Sequence, residues 1–387
     1  MDKKHTKGEL QQYQSLSLDS KIAMSKRRIK SWVNEFGEDG CYVSFSGGKD
    51  SRVLVHLVKD VAPNVPVVYV NTGLEYNSVR DKGIELADEV LLPKMSFVEV
   101  VTKYGYPIIS KEVAQAVDEG KRYMRALTDR QTDRQTIPYA YRIADFLGVD
   151  RRLEKDNELY ESIKIGVIPS PQLRTCQLLG MQGKYNYSQM YDKSRYAFLL
   201  DAPFKISNKC CDVMKKSSAK TYEKREHRVP FIGTMACESR LREAKWMKYG
   251  CNAFDQKGHP TSAPLSFWTE QDILRYIERY KLDIADIYGD IRYMDEDGML
   301  YDNELFDDSM LLTTTGEKRT GCVFCMFGIT QDTDRFLRLK EQEPKKYDYI
   351  MRGGKFDEDG MWVPHQGLGY KFVIDWLNEN GDLGIKY

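Results

Sequence analysis

Apolar residues recur along this chain in two spacings. Cys41-Tyr42-Val43-Ser44-Phe45 and Val65-Pro66-Val67-Val68-Tyr69-Val70 are short, almost continuous apolar runs. Strands covered on both faces of a parallel sheet read this way. Val229-Pro230-Phe231-Ile232-Gly233-Thr234 is a third such run. Between and around them the spacing widens to that of helices. Arg52–Val58 predicts a helix packed on a sheet, and Asn77–Val90 predicts another. Strand and helix patterns that alternate predict an α/β fold, a parallel sheet flanked by helices.

The flanking regions are patterned differently. Residues 1–38 predict a helical lead-in, with Ile22, Met24, Ile29, Trp32 and Val33 on an imperfect apolar face. Such a face suits packing on the body of the protein or on a second copy. Thr269 is placed to cap a helix, with Asp272 at its third position, and Ile273, Leu274, Tyr276 and Ile277 supply the apolar face. Residues 284–318 are acidic and loop-rich, with a turn at Asp295-Glu296-Asp297-Gly298. Phe336, Leu337, Leu339, Trp362, Tyr370, Phe372, Trp376 and Leu377 predict closing helices. The expected organisation is a lead-in over 1–38, a sheet domain over 39–282 and a C-terminal region over 283–387. An insertion at about 111–200 interrupts the sheet domain and carries the weakest pattern. In it Thr128-Asp129-Arg130-Gln131 repeats as Thr132-Asp133-Arg134-Gln135. Tyr139, Tyr141, Tyr160, Tyr185, Tyr187, Tyr191 and Tyr196 lie among Lys and Arg. Aromatics between cations either pack small helices or stack the bases of a single strand.

Composition narrows the picture. The 387 residues carry zero net charge, which removes a global electrostatic case for nucleic acid and leaves only local basic patches. The N-terminus is polar and no run of about 18 apolar residues occurs, so neither a secretory signal nor a membrane span is expected, and a cytoplasmic setting is. Eight cysteines in so long a chain do not form a disulfide scaffold; reduced thiols or metal ligands are expected.

The chemistry concentrates at Ser46-Gly47-Gly48-Lys49-Asp50-Ser51, between the first strand and its helix. Glycines let the backbone approach a phosphate, and the first N–H groups of a helix point outward with a favourable dipole. The spacing is not that of the Walker loop, which needs four residues between its glycines and then Gly-Lys-Ser/Thr. It resembles the PP-loop of the ATP pyrophosphatase superfamily. That resemblance implies an adenine nucleotide alpha hydrolase-like, Rossmann-like sheet that holds ATP by its pyrophosphate, with Mg²⁺ near Asp50.

Further motifs resemble the PAPS/APS reductase-like branch. Asn71-Thr72-Gly73, with Glu75 soon after, ends the second strand; Lys103-Tyr104-Gly105-Tyr106-Pro107 follows; then come Glu238-Ser239-Arg240-Leu241-Arg242 and Pro264-Leu265-Ser266-Phe267-Trp268-Thr269. The resemblance implies that Arg242 meets the anionic substrate, with Arg240 an extra cation beside it. Cys210-Cys211 and Cys322-x-x-Cys325 resemble the ligand set of assimilatory APS reductases, which implies a [4Fe-4S] cluster, with zinc the alternative. Cys41, Cys176, Cys237 and Cys251 have no motif partners; Cys41 reads as core, and Cys237 as a thiol near the presumed site.

One departure is decisive for the reaction. True reductases carry a nucleophilic cysteine in a C-terminal segment, and no cysteine here lies beyond Cys325. Two enzyme chemistries remain. In one, ATP is cleaved at its α-phosphate, an acceptor is adenylated, and a sulfur donor completes the transfer, as in DNA phosphorothioation or RNA thiolation. In the other, adenylyl sulfate is reduced with a thiol supplied by Cys237 or a partner. A third reading is a nucleotide-sensing module within a larger complex.

Overall fold

The structure, a computed structural model, describes residues 4–131, 172–180, 187–254, 259–301 and 310–387. It divides into two units, Met1–Lys94 with Met214–Val323, and Met95–Val213 with Phe324–Tyr387. The lead-in helices and residues 283–323 fall in the first unit with the sheet.

The first unit is built on a six-stranded sheet in the order Glu89–Leu91, Val67–Val70, Cys41–Phe45, Val229–Ile232, Thr261–Ser262, Asn252–Ala253. All neighbours are parallel except the last pair. This is the expected α/β class, a mostly parallel sheet flanked by helices. The first strand lies between the second and Val229–Ile232, so the strand order reverses at its side. Ligands of open α/β sheets settle at the carboxyl ends of strands at such a reversal.

Burial explains the unbroken apolar runs. Cys41, Val43, Val53, Leu54, Leu57, Val58 and Phe231 are fully enclosed, with Ile29 and Trp32 of the lead-in helix Leu18–Phe36 packed in the same core. That face is therefore taken up by the chain's own sheet unit. The lead-in helix is also tied by a buried ion pair, Lys21 Nζ to Asp272 Oδ2 at 2.6 Å. Asp272 completes the predicted capping box with Thr269 at the start of helix Glu270–Tyr280. Trp268 donates to Ser25 Oγ at 2.9 Å, which fixes the residues just before that helix on the lead-in.

One expectation needs correction. The helix predicted over Asn77–Val90 stops at Leu86, and Glu89–Leu91 joins the sheet as an edge strand. The cause is Asp88, whose carboxylate accepts the Val67 N–H at 2.7 Å while its own N–H donates to Val67 O at 2.8 Å. More than half of the described residues in the acidic stretch 284–318 are turn and loop, as expected. Among its described residues Leu311–Thr314, Ile291–Met294 and Leu300–Tyr301 form an antiparallel three-stranded sheet. The turn at Asp295–Gly298 is present, with Gly298 at φ +83°.

The second unit begins with helix Phe97–Tyr104, opened by a Ser96–Glu99 capping box. Ile108–Ile109 pairs in parallel with Met326–Phe327, and helix Lys111–Gln131 follows. The closing helices Arg335–Gln342, Pro344–Met351 and Tyr370–Gly381 are present, with an unforeseen hairpin of Lys355–Phe356 and Trp362–Val363 among them. Tyr106, Phe204, Phe336, Tyr370 and Trp376 form an aromatic core. Tyr196 is buried and Tyr187 donates to Cys176 O at 3.2 Å, so both pack within the unit, while Tyr191 is exposed. Residues 132–135 of the short repeat, and Tyr139, Tyr141, Tyr160 and Tyr185, lie outside the described residues.

Candidate nucleotide site

A cavity of about 250 Å³ opens within the first unit at the strand reversal. Its floor is the glycine turn. Gly47 adopts φ +75°, and a Cβ there would stand 2.3 Å from Val79 O, so only glycine fits. Helix Lys49–Val61 starts immediately after, with Gly48 at its N-cap. The loop is braced from inside. Ser51 Oγ donates to Gly48 O at 2.9 Å, and Ser46 Oγ lies 2.9 Å from Ser51 Oγ. The opposite wall is Gly233, whose hydrogen faces Ser51; a Cβ there would reach Ser51 Cα at 3.2 Å.

The site's electrostatics are a web of opposed charges. Lys49 is 2% exposed; its Nζ donates to Lys318 O at 2.9 Å and stands 3.3 Å from Glu270 and 3.6 Å from Asp50. Asp50 Oδ1 is buried and accepts no hydrogen bond. An unsatisfied carboxylate oxygen beside a phosphate cradle is the kind of ligand Mg²⁺ takes, usually one or two carboxylates with substrate phosphates. Glu238 accepts from Met235 N at 2.8 Å, pairs with Arg242, and lies 3.6 Å from Arg319. Desolvation lowers the Arg242 pKa, Arg319 lowers it further, and Asp50 opposes both. Two arginines and a lysine therefore face one small cavity.

Tyr288 closes another side. Its hydroxyl accepts the Lys49 N–H at 3.2 Å and lies 2.6 Å from Thr320 Oγ1. Burial pushes that phenol up to about 12, against the hydrogen bonds from Thr320 and Lys49.

The other expected site residues are placed unequally. Ser46, Gly48, Lys49, Asp50, Ser51, Glu238 and Arg242 line the cavity. Ser239 caps helix Arg240–Tyr249, accepting from Arg242 N at 3.3 Å, and Arg240 is exposed and does not line the cavity. Asn71, Thr72 and Gly73 do not line it either. They form a second centre with Glu75, whose carboxylate accepts from Thr72 Oγ1 at 2.7 Å and pairs with Lys215 at 3.1 Å. Val323 N donates to Leu74 O at 2.7 Å, which brings the Cys322 turn to this loop. Burial disfavours the Lys215 ammonium, but Cys322 and Glu75 together outweigh it and raise its pKa.

Sequence reasoning missed Gly233, Tyr288, Arg319 and Thr320 as cavity walls, and Glu270 as a partner of Lys49. Arg319 and Thr320 adjoin the Gly321-Cys322 segment, so the cysteine motif was the signal that could have found them.

The expected cluster ligands divide between the units, Cys322 in the first and Cys210, Cys211 and Cys325 in the second. Among the described residues, no group of three or more His, Cys, Asp or Glu side chains is gathered to hold a metal ion. Cys41 is core, and burial pushes its thiol up to about 12. The Cys237 thiol is raised by desolvation, with Arg319 pulling the other way.

Comparison with known families falls on this same loop. Residues 40–115 match the phosphoadenosine phosphosulfate reductase domain. The matched segment holds the first strand, the glycine turn, the second strand and the Asn71-Thr72-Gly73 loop. The chain is similar to that domain over this stretch, which supports a kinship with nucleotide-binding enzymes of sulfur chemistry. No curated protein matches the chain. Among the described residues, no helix is long and apolar enough to cross a membrane.

Proposed function

We propose that the chain is an ATP-dependent enzyme that cleaves ATP at the α-phosphate and adenylates an acceptor for sulfur transfer. The observation that carries this reading is the cavity at the strand reversal, where a glycine turn and helix start meet Lys49, Arg242 and Arg319. The pyrophosphate sits on the N–H groups of Gly47, Gly48 and Ser51. Lys49 offsets the charge that develops as it leaves, and Asp50 would hold a Mg²⁺ ion, which would neutralise phosphate charge when bound. An acceptor oxygen attacks the α-phosphorus, the bond to the bridging oxygen breaks, and pyrophosphate departs with that electron pair. A sulfur nucleophile of hydrosulfide type then displaces AMP from the acceptor. Preorganised charge of this kind supplies most of the rate enhancement in comparable sites.

Cys210, Cys211, Cys322 and Cys325 would hold a [4Fe-4S] cluster, which would supply sulfur-handling or redox chemistry when bound. This part of the reading rests on the thiol pattern in the sequence and not on gathered ligands, with zinc as the alternative occupant. A cytoplasmic setting and a separate sulfur donor or reductant protein belong to the same reading.

Reduction of adenylyl sulfate is the second reading, favoured by the matched domain. In it the thiol would come from Cys237 or from a partner. Exchange of labelled pyrophosphate into ATP separates the two. Exchange is expected for the first; sulfite release from adenylyl sulfate with a thiol donor, without exchange, supports the second. Nucleotide binding with neither activity supports a sensing module.

A further inference from the structure

The second unit contains a larger cavity, of about 750 Å³, that the adenylation chemistry does not use. Its walls come from helix Phe97–Tyr104, helix Lys111–Gln131, the segment 200–209 and the turn between the paired strands Lys355–Phe356 and Trp362–Val363. Five cations line it, Lys103, Lys121, Arg125, Lys205 and Lys209, against three aspartates. Lys121 and Arg125 are one turn apart and share a helix face. Lys121 is held in place, its Nζ donating to Ala202 O at 2.9 Å and Phe204 O at 3.2 Å. Burial pushes its ammonium down to about 8; Asp201 opposes the shift and Arg125 adds to it. Asp118, Asp201 and Asp359 offset part of this charge, and the lining keeps two more cations than anions. Tyr104 adds an aromatic face at the same wall.

We propose that this cavity binds single-stranded nucleic acid, with its cations on the phosphodiester backbone and Tyr104 against a base. The shape selects the strand over the duplex. A concave site of this size takes a small-molecule-sized group, and only an unpaired strand can turn a base into it. A duplex keeps its bases stacked inside and offers phosphates alone. Zero net charge over the whole chain fits a local contact better than a long duplex track. The proposal goes beyond the adenylation reading and does not depend on it.

The test is fluorescence anisotropy of a labelled oligodeoxynucleotide of about 12 residues, a typical single-strand site length. The full-length chain is used without ATP, at several salt concentrations. Binding is expected, with a log–log salt slope that shrinks by about 0.7 for each cation removed. The double variant Lys103→Glu/Lys205→Glu is expected to bind at least about tenfold more weakly, the scale on which lost phosphate contacts act. Lys209 is left untouched because Cys210 adjoins it. The milder Lys103→Gln/Lys205→Gln pair, with an unchanged melting curve, guards against misfolding and is expected to weaken binding less. Absence of binding overturns the proposal, as does wild-type affinity in the charge-reversed variant or equal affinity for a duplex of the same sequence. Because ATP is omitted, none of these outcomes bears on pyrophosphate exchange, and a failure of exchange leaves the strand site standing.

Discussion

Lys49 is enclosed by the protein yet carries its charge toward an open cavity, facing Glu270, Asp50 and the Lys318 carbonyl. Its partners hold the ammonium where a leaving pyrophosphate would need it. Lys49→Ala or Asp50→Ala is expected to lower turnover by at least about a hundredfold, the scale of one lost preorganised contact. Steady-state rates on folded variants check this, and wild-type turnover in either would remove the loop from the reaction. Gly47→Ala places a methyl group against Val79 O in a left-handed backbone conformation. It is expected to weaken nucleotide binding, measured by calorimetry, more than Gly73→Ala, where a Cβ would meet no atom within 4 Å. His56 offers a pH signature away from the cavity. Burial lowers its pKa, Arg52 adds to this and Asp60 opposes it, while its Nδ1 lies 2.8 Å from the Tyr276 hydroxyl. The folded state therefore resists a proton that the unfolded chain accepts. Stability from this group is present above its ordinary pKa of about 6.5 and is lost as pH falls through the lower folded value. Urea midpoints at pH 7 and pH 5 are expected to differ less in His56→Gln than in the wild type.

Elements show how much the sequence disclosed. The two central strands, the Thr269 capping box and the glycine turn were legible because each depends on neighbours in the chain. The edge strand Glu89–Leu91 was not, because its pairing depends on Asp88 reaching Val67, twenty-one positions away. Tyr288, Arg319 and Thr320 were invisible as cavity walls for the same reason: tertiary packing sets them against Lys49, and no periodicity records it. The lead-in helix lies between these cases. Its apolar face was readable, but the choice between self-packing and a partner copy was made by Trp32 in the core and by the Lys21–Asp272 pair. Lys21→Met leaves Asp272 buried and uncompensated and is expected to cost about 3 kcal/mol. Denaturant unfolding checks this; a loss within the scatter of surface substitutions would mean that the pair does not fasten the helix.

At the level of the whole molecule, the nucleotide cavity lies in the first unit, and the four motif cysteines are divided between the two. The cysteine part is tested by metal content. Protein purified without oxygen is expected to be brown, with about four iron and four sulfide per chain, as four thiolates of this softness select. A colourless protein with one zinc would replace the cluster with a structural site and leave the cavity untouched. The cavity itself is tested most directly by the products of ATP. Under anaerobic conditions, with a panel of acceptors that includes single-stranded nucleic acid, the chain is expected to yield AMP and pyrophosphate, and Lys49→Ala to yield neither. ADP and phosphate, or sulfite from adenylyl sulfate with ATP untouched, would contradict it.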